Sequence, residues 1–360
     1  MHDLLHDLAI AVTKNECCTV NSFKQNIPQG VRQLYIDNLD FLEENPSGWF
    51  LDTHRLSQVR TFCYPDMKEG TSSDSFIKKC LARFHNLRVL NLKKSSFEVL
   101  PRNIGSLKHL RYLDLRACSN IKKLPNSICK LRSLETLLIG GERIEELPKD
   151  MRYMISLRML EVNTRQRVLS GNGFEHLQSL LVLIITKCEN LEYLFEGIQN
   201  LTSLHTLLID ECKNLISLPH GLKSSTQLKI LIIMDCEKLD LNMTLGLEGR
   251  EKEDNDNQDY LVGSGLRLQT LLIVGLPKLE ALPQWLLLTS ADTLQVLGLG
   301  ECENLTALSV KQDLTSLEML WIKDCPKLSS LPERMPRVNE LRIQGIPIVG
   351  ERCKPEMGED

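Results

Sequence analysis

The stretch LRYLDLRACSNIKKLPNSICKLRSLETLLI, residues 110–139, decides the fold. It opens on LRYLDL and closes on LETLLI, two copies of one pattern, LxxLxL, whose first residues lie 24 apart. Apolar residues alternate with others inside each copy, the period of a strand with one face buried. Between the copies, PNSICKLRSL at 125–134 spaces apolar residues three apart behind a proline. Proline suits the first turn of a short helix or 3₁₀ segment, so this connection carries the chain back to start another strand.

The same unit recurs on both sides. LRVLNL (87–92) precedes it; LRMLEV (157–162), LLVLII (180–185), LHTLLI (204–209) and LKILII (228–233) follow. LQTLLI (268–273), LQVLGL (294–299), LEMLWI (317–322) and VNELRI (338–343) complete eleven copies. Their spacing stays between 21 and 26 residues, apart from one step of 40 after Leu228. Two weaker copies, VRQLYI (31–36) and VRTFCY (59–64), come first. This is the period of leucine-rich repeats. No unit buries its leucines alone, so neighbours must stack. The expected fold is an α/β leucine-rich-repeat solenoid. A curved parallel sheet forms its concave face, and short helices, 3₁₀ turns and loops its convex face, behind a short helical start.

With 42% hydrophobic and 25% charged residues the chain can bury a core. No apolar run is long enough to span a bilayer, and no signal peptide is visible. Net charge is −4. The segment EGREKEDNDNQD (248–259) holds six acidic and two basic residues and accounts for all of it. Nothing points to nucleic acid as a partner. This acidic segment sits in the long step after Leu228, an insertion at about 240–262 with the composition of a solvated loop.

Of twelve cysteines, Cys118, Cys188, Cys212, Cys236, Cys302 and Cys325 each lie eight residues after their repeat's first apolar position. A small residue there turns the chain inward and offers a weak thiol donor to loop carbonyls. A zinc site would favour close C-x-x-C pairs, and none occurs. Cys17, Cys18, Cys63, Cys80, Cys129 and Cys353 fall off this ladder.

Strand alternation sends the fourth and sixth residues of LxxLxL inward and the third, fifth and next residues onto the concave face. The candidate partner contacts are therefore Lys93, Asp114 and Arg116 towards the N-terminal end. They continue with Ile184, Leu208, Ile232, Met234 and Leu272 in the middle, then Trp321. A contiguous apolar patch is a binding surface unless such runs are buried on both faces, as parallel strands often are. GxxxxGK[ST], GxSxG, HExxH and GxGxxG are all missing, and no nucleophile–base arrangement stands out, so the chain reads as no enzyme.

The opening MHDLLHDLA, followed by irregular early repeats and then LRVLNL, resembles the plant immune receptors that join a coiled coil, a nucleotide-binding switch and leucine-rich repeats. LRYLDLRACSNIKKLPNSICKLRSLETL, LQTLLIVGLPKLEALPQWL and ERCKPEMGED are similar to that family too. The resemblance implies that Met1, His2 and Asp3 are the end of the switch's MHD motif, with Leu4, Leu5 and Leu8 on the next helix. It implies that His2 reaches the phosphate of bound ADP only when the nucleotide-binding domain, whose phosphate loop is missing from this sequence, is present. Chain organisation follows: 1–27 a winged-helix remnant, 28–84 irregular repeats and loop, 85–353 the repeat domain, 354–360 a tail. Both ends read as cut edges.

The resemblance implies the sensor and autoinhibitory part of a cytoplasmic receptor in defence signalling, monomeric as an isolated fragment. Its partner would be a pathogen effector, a guarded host protein or the receptor's own nucleotide-binding domain. It implies no cofactor in this chain, with ADP or ATP belonging to a full-length relative. The alternative is a free-standing leucine-rich-repeat scaffold for a signalling complex.

Overall fold

The structure is a computed structural model describing residues 16–21, 27–36, 56–64, 74–141, 143–169, 173–242, 265–308, 313–331 and 335–346. His2 and the rest of the MHD motif, the acidic segment 248–259, Cys353 and the tail lie outside the described residues. The chain divides into two compact units, Met1–Arg165 and Gln166–Asp360.

In the first unit every connection returns the chain to lay the next strand beside the last, all parallel. The strands are β1 (Cys17–Val20), β2 (Gln33–Ile36), β3 (Thr61–Cys63), β4 (Val89–Asn91), β5 (Tyr112–Arg116), β6 (Thr136–Gly140) and β7 (Met159–Asn163). They pair in that order. β2 to β7 each start on the third residue of their LxxLxL copy. β1 has no such copy, so strand structure begins earlier than the boundary expected at residue 28. Between β3 and β4 the return segment is a true helix, α1 (Asp74–Arg83). Its Phe76, Ile77, Cys80 and Leu81 are buried at helical spacing. The Phe62 ring meets Phe84 at 5.3 Å and Tyr64 at 6.3 Å, and Tyr64 meets Phe76 at 6.0 Å.

The second unit repeats the plan. Its strands are β8 (Val182–Thr186), β9 (Thr206–Asp210), β10 (Ile230–Met234), β11 (Thr270–Val274), β12 (Val296–Gly300), β13 (Met319–Lys323) and β14 (Glu340–Gln344). All are parallel and paired in order. β10 and β11 pair residue for residue, Ile230 with Thr270 through Met234 with Val274, despite the insertion between them.

The core is what the repeat demands. Leu207, Ile209, Leu231, Ile233, Leu271 and Ile273 are fully buried at the fourth and sixth positions. Each such side chain contributes about 1.5–3 kcal/mol by leaving water. The connections at Arg102–Ser106, Asn126–Lys130 and His220–Ser224 are 3₁₀ turns begun by Pro101, Pro125 and Pro219, with Ile104, Ile128 and Leu222 turned inward.

After the strand most repeats make a left-handed turn. Lys94, Ala117, Lys187, Glu211, Asp235, Glu301 and Asp324 have φ between 49° and 60°. In six of these seven, the next residue is a ladder cysteine. All six ladder cysteines are fully buried. The Cys118 thiol donates to the Leu92 carbonyl at 3.1 Å, tying one repeat to the one before. The Cys236 and Cys302 thiols donate at 3.2 Å to Met234 and Gly300 within their own turns. Burial pushes Cys118 and Cys236 up to about 12. Two residues on, asparagine adds a link: the Asn120, Asn214 and Asn304 amides donate to Ser96, Glu189 and Pro277 carbonyls of the preceding repeat.

Candidate functional site

The outward residues of each strand line up in register rows. In the second unit the middle row runs Ile184, Leu208, Ile232, Leu272, Gly298, Trp321. Six strands at about 4.8 Å make an apolar strip of roughly 24 Å. The structure thus brings five of the predicted contacts onto one line. Met234 stands in the adjoining row, between Asp210 and Val274. All six are half-buried, because neighbours one strand apart shield each other.

Gly298 and Gly300 are not among the predicted contacts, yet they decide how Trp321 sits. A β-carbon at Gly298 would lie 2.4 Å from Leu272 Cδ1 and 3.2 Å from Trp321 Cε3. One at Gly300 would lie 2.8 Å from Trp321 Cη2. The indole therefore lies across β12 in the notch the two glycines leave. The sequence signal was available: LGLG puts both glycines at outward positions beside a tryptophan-bearing repeat.

Charges border the strip. Lys187 pairs with Glu211 at 3.4 Å, and Lys323 lies 3.8 Å from Glu301 and 3.6 Å from Asp324. Asp210 accepts a hydrogen bond from the Thr186 hydroxyl, yet burial, with Glu211 and Asp235 beside it, holds its carboxyl above the usual value.

Lys93, Asp114 and Arg116 lie in the first unit, and one expectation about them needs correcting. Asp114 faces outward but is 1% exposed, so it is no partner contact. Arg116 covers it, donating from Nη2 to Oδ2 at 2.7 Å and from Nε to Oδ1 at 3.1 Å, while its backbone N–H reaches Oδ1 at 3.0 Å. The Tyr112 hydroxyl adds a bond at 3.2 Å. Burial pushes the Asp114 carboxyl up, but these hydrogen bonds outweigh it and hold it below its ordinary value. Arg116 Nη1 also lies 3.7 Å from Glu161 Oε2 on β7, reaching past Leu138, which is buried. The arginine stem passes over Gly140, where a β-carbon would meet Arg116 Cγ at 3.1 Å. Arg116 is the group presented to solvent here. Exposed Lys93 flanks it, its backbone N–H bound to the Asn91 side chain.

Among the described residues no group of three or more His, Cys, Asp or Glu is placed to hold a metal ion. None of the described helices is long and apolar enough to cross a membrane.

Residues 70–342 match the family described as leucine-rich repeat region. The chain belongs to the leucine-rich repeat family. Its leucine-rich repeats are related to those of plant disease resistance proteins. One from Arabidopsis thaliana is 30% identical over 145 residues, 40% of this chain and 10% of that protein. An RPP13-like disease resistance protein of the same plant is 31% identical over 189 residues, 50% of this chain and 21% of that protein. The RGA1 disease resistance protein of Solanum bulbocastanum is 31% identical over 115 residues, 32% of this chain and 9% of that protein. The matches thus span about a tenth to a fifth of these relatives' length. A leucine-rich-repeat protein of Leptospira interrogans has the same fold, with TM-score 0.54 and 20% identity over 96% of this chain and 95% of that one. The Toll–Spätzle complex of Drosophila does too, at TM-score 0.57 and 15% identity over 92% of this chain and 46% of that one. This leucine-rich repeat is a domain of the protein-interaction type.

Proposed function

We propose that this chain is the sensor and autoinhibitory repeat part of a cytoplasmic plant immune receptor. In this reading the strand face of the second unit docks a protein: a pathogen effector, a guarded host protein or the receptor's own nucleotide-binding domain. The observation that carries it is the apolar row from Ile184 to Trp321, bordered by charge, in a chain related to disease resistance proteins. An apolar strip of this length on a repeat domain is what a partner covers.

The mechanism is a shift of population. A ligand that binds the repeats more tightly in the released form than in the resting form moves the receptor towards release, by no more than that difference in affinity. No step here passes through a nucleotide, because the phosphate-binding GxxxxGK[ST] is missing from this sequence.

The test has two arms. Genomic DNA upstream of Met1, translated in frame, should encode a GxxxxGK[ST]. The chain should then bind the nucleotide-binding part so encoded, or the effector that triggers it. Leu208→Glu and Ile232→Glu should abolish that binding while the protein still melts cooperatively. A stop codon and promoter directly upstream, or binding untouched by both variants, would overturn the reading.

A further inference from the structure

A second surface, separate from the strand face, carries its own charge signature. In the first unit a cleft of about 1340 Å³ opens among the 3₁₀ turns and loops of three successive repeats. None of its lining residues belongs to a strand. The chain as a whole is acidic, at −4. This cleft is not: six cationic side chains line it against two carboxylates, Glu98 and Asp150.

The cations are poorly neutralised. Lys123 pairs with Glu146, and Asp150 is taken by Arg152 at 3.0 Å. Arg102, Lys122, Lys130, Arg132 and Arg143 are all exposed, and none makes a side-chain ion pair with a described residue. Like charges gathered around one concavity raise the local concentration of anionic partners and speed their approach. These charges are exposed, so salt screens the attraction.

Size and lining select the kind of anion. Small-molecule pockets run to about 1,000 Å³ and enclose their ligand, whereas this cleft is larger and open. Val99 is 59% exposed and Tyr153 50% exposed within it, an apolar contact a bare phosphate would not use. The Tyr153 ring is held under the Arg152 guanidinium, 5.4 Å from its centroid, so an aromatic surface stands ready beside the cations. We infer that this cleft docks an acidic segment of a partner protein, one interleaving carboxylates with apolar side chains.

The test uses the full chain and a fluorescein-labelled peptide of Glu-Glu-Leu repeats, read by anisotropy. A Glu-Glu-Gly peptide of equal length and an oligouridylate serve as comparators. The Leu peptide should bind, several-fold more tightly than the Gly peptide, and weaken as salt rises from roughly 50 to 200 mM. The exposed triple variant Lys122→Glu/Arg132→Glu/Arg143→Glu should lose about tenfold or more. Lys229→Glu/Lys238→Glu/Arg267→Glu, the same charge change in the second unit, should stay within about twofold. Should the first triple fail to fold by circular dichroism, Lys122→Glu and Arg132→Glu alone should each cost about threefold. Equal loss in both triples, no binding of the Leu peptide, or tighter binding of the oligouridylate would each overturn the inference.

Discussion

Asp114 shows how much one buried carboxylate can govern. Its charge is held by Arg116 and Tyr112, so folding lowers its proton affinity. A group whose folded value is depressed contributes stability above its ordinary value, 3.8 here, and loses it as pH falls through the lower folded value. Asp114→Asn should therefore cost about 1.5–3 kcal/mol at neutral pH. The gap to wild type should close in acid; a gap in urea midpoints that persists there would show the effect is packing, not charge. The left-handed turns carry a second residue-scale prediction. Ala117 sits at φ 55°. A residue with a β-carbon there costs about 1–2 kcal/mol, against about 0.5–1 kcal/mol for ordering glycine. Ala117→Gly should raise stability by about 0.5–1 kcal/mol, read from its denaturation midpoint. Neither feature was legible in the sequence. Alternation says which face Asp114 points to, not that Arg116 bends over it. Lys, Glu and Ala carry no mark of the left-handed region, and Asp235 and Asp324 carry only the modest preference of a short polar side chain.

At the scale of elements, β12 and β13 act as one piece because two glycines make room for one indole. Gly300→Val should unseat Trp321, costing about 1–3 kcal/mol and shifting its emission to the red. An unchanged spectrum would mean the indole does not rely on the notch. The asparagine links make a graded prediction. Asn120→Ala and Asn214→Ala should each cost about 0.5–1.5 kcal/mol, by loss of one bond to the preceding repeat, and Asn304→Ala more, because its side-chain oxygen also accepts from Lys327. Sites so far apart should add, and a triple variant far from the sum would refute independent links. The strands β2 to β14 were legible, since thirteen copies of LxxLxL state the same inward positions over and over, whereas β1 has no copy to announce it. α1 was not: Phe76, Ile77, Cys80 and Leu81 have helical spacing, but over too short a span to stand out from its irregular surroundings.

Over the whole molecule the ladder thiols offer a census of folding. Cys118, Cys188, Cys212, Cys236, Cys302 and Cys325 are buried, whereas Cys17 and Cys63 are partly open. Brief alkylation of the native protein should label Cys17 and Cys63 and spare the ladder, which should react only once denaturant unfolds the repeats. Early labelling of a ladder cysteine, read by peptide mass, would mark a repeat that opens by itself. The pairing of β10 with β11 has a practical consequence. Their first residues are 40 positions apart in the chain, yet they lie side by side without a slip in register. Their register does not depend on a short connection. A fluorescent protein or an epitope tag spliced into this connection should leave the neighbouring strands as they are, giving a handle for tracking the chain in living tissue.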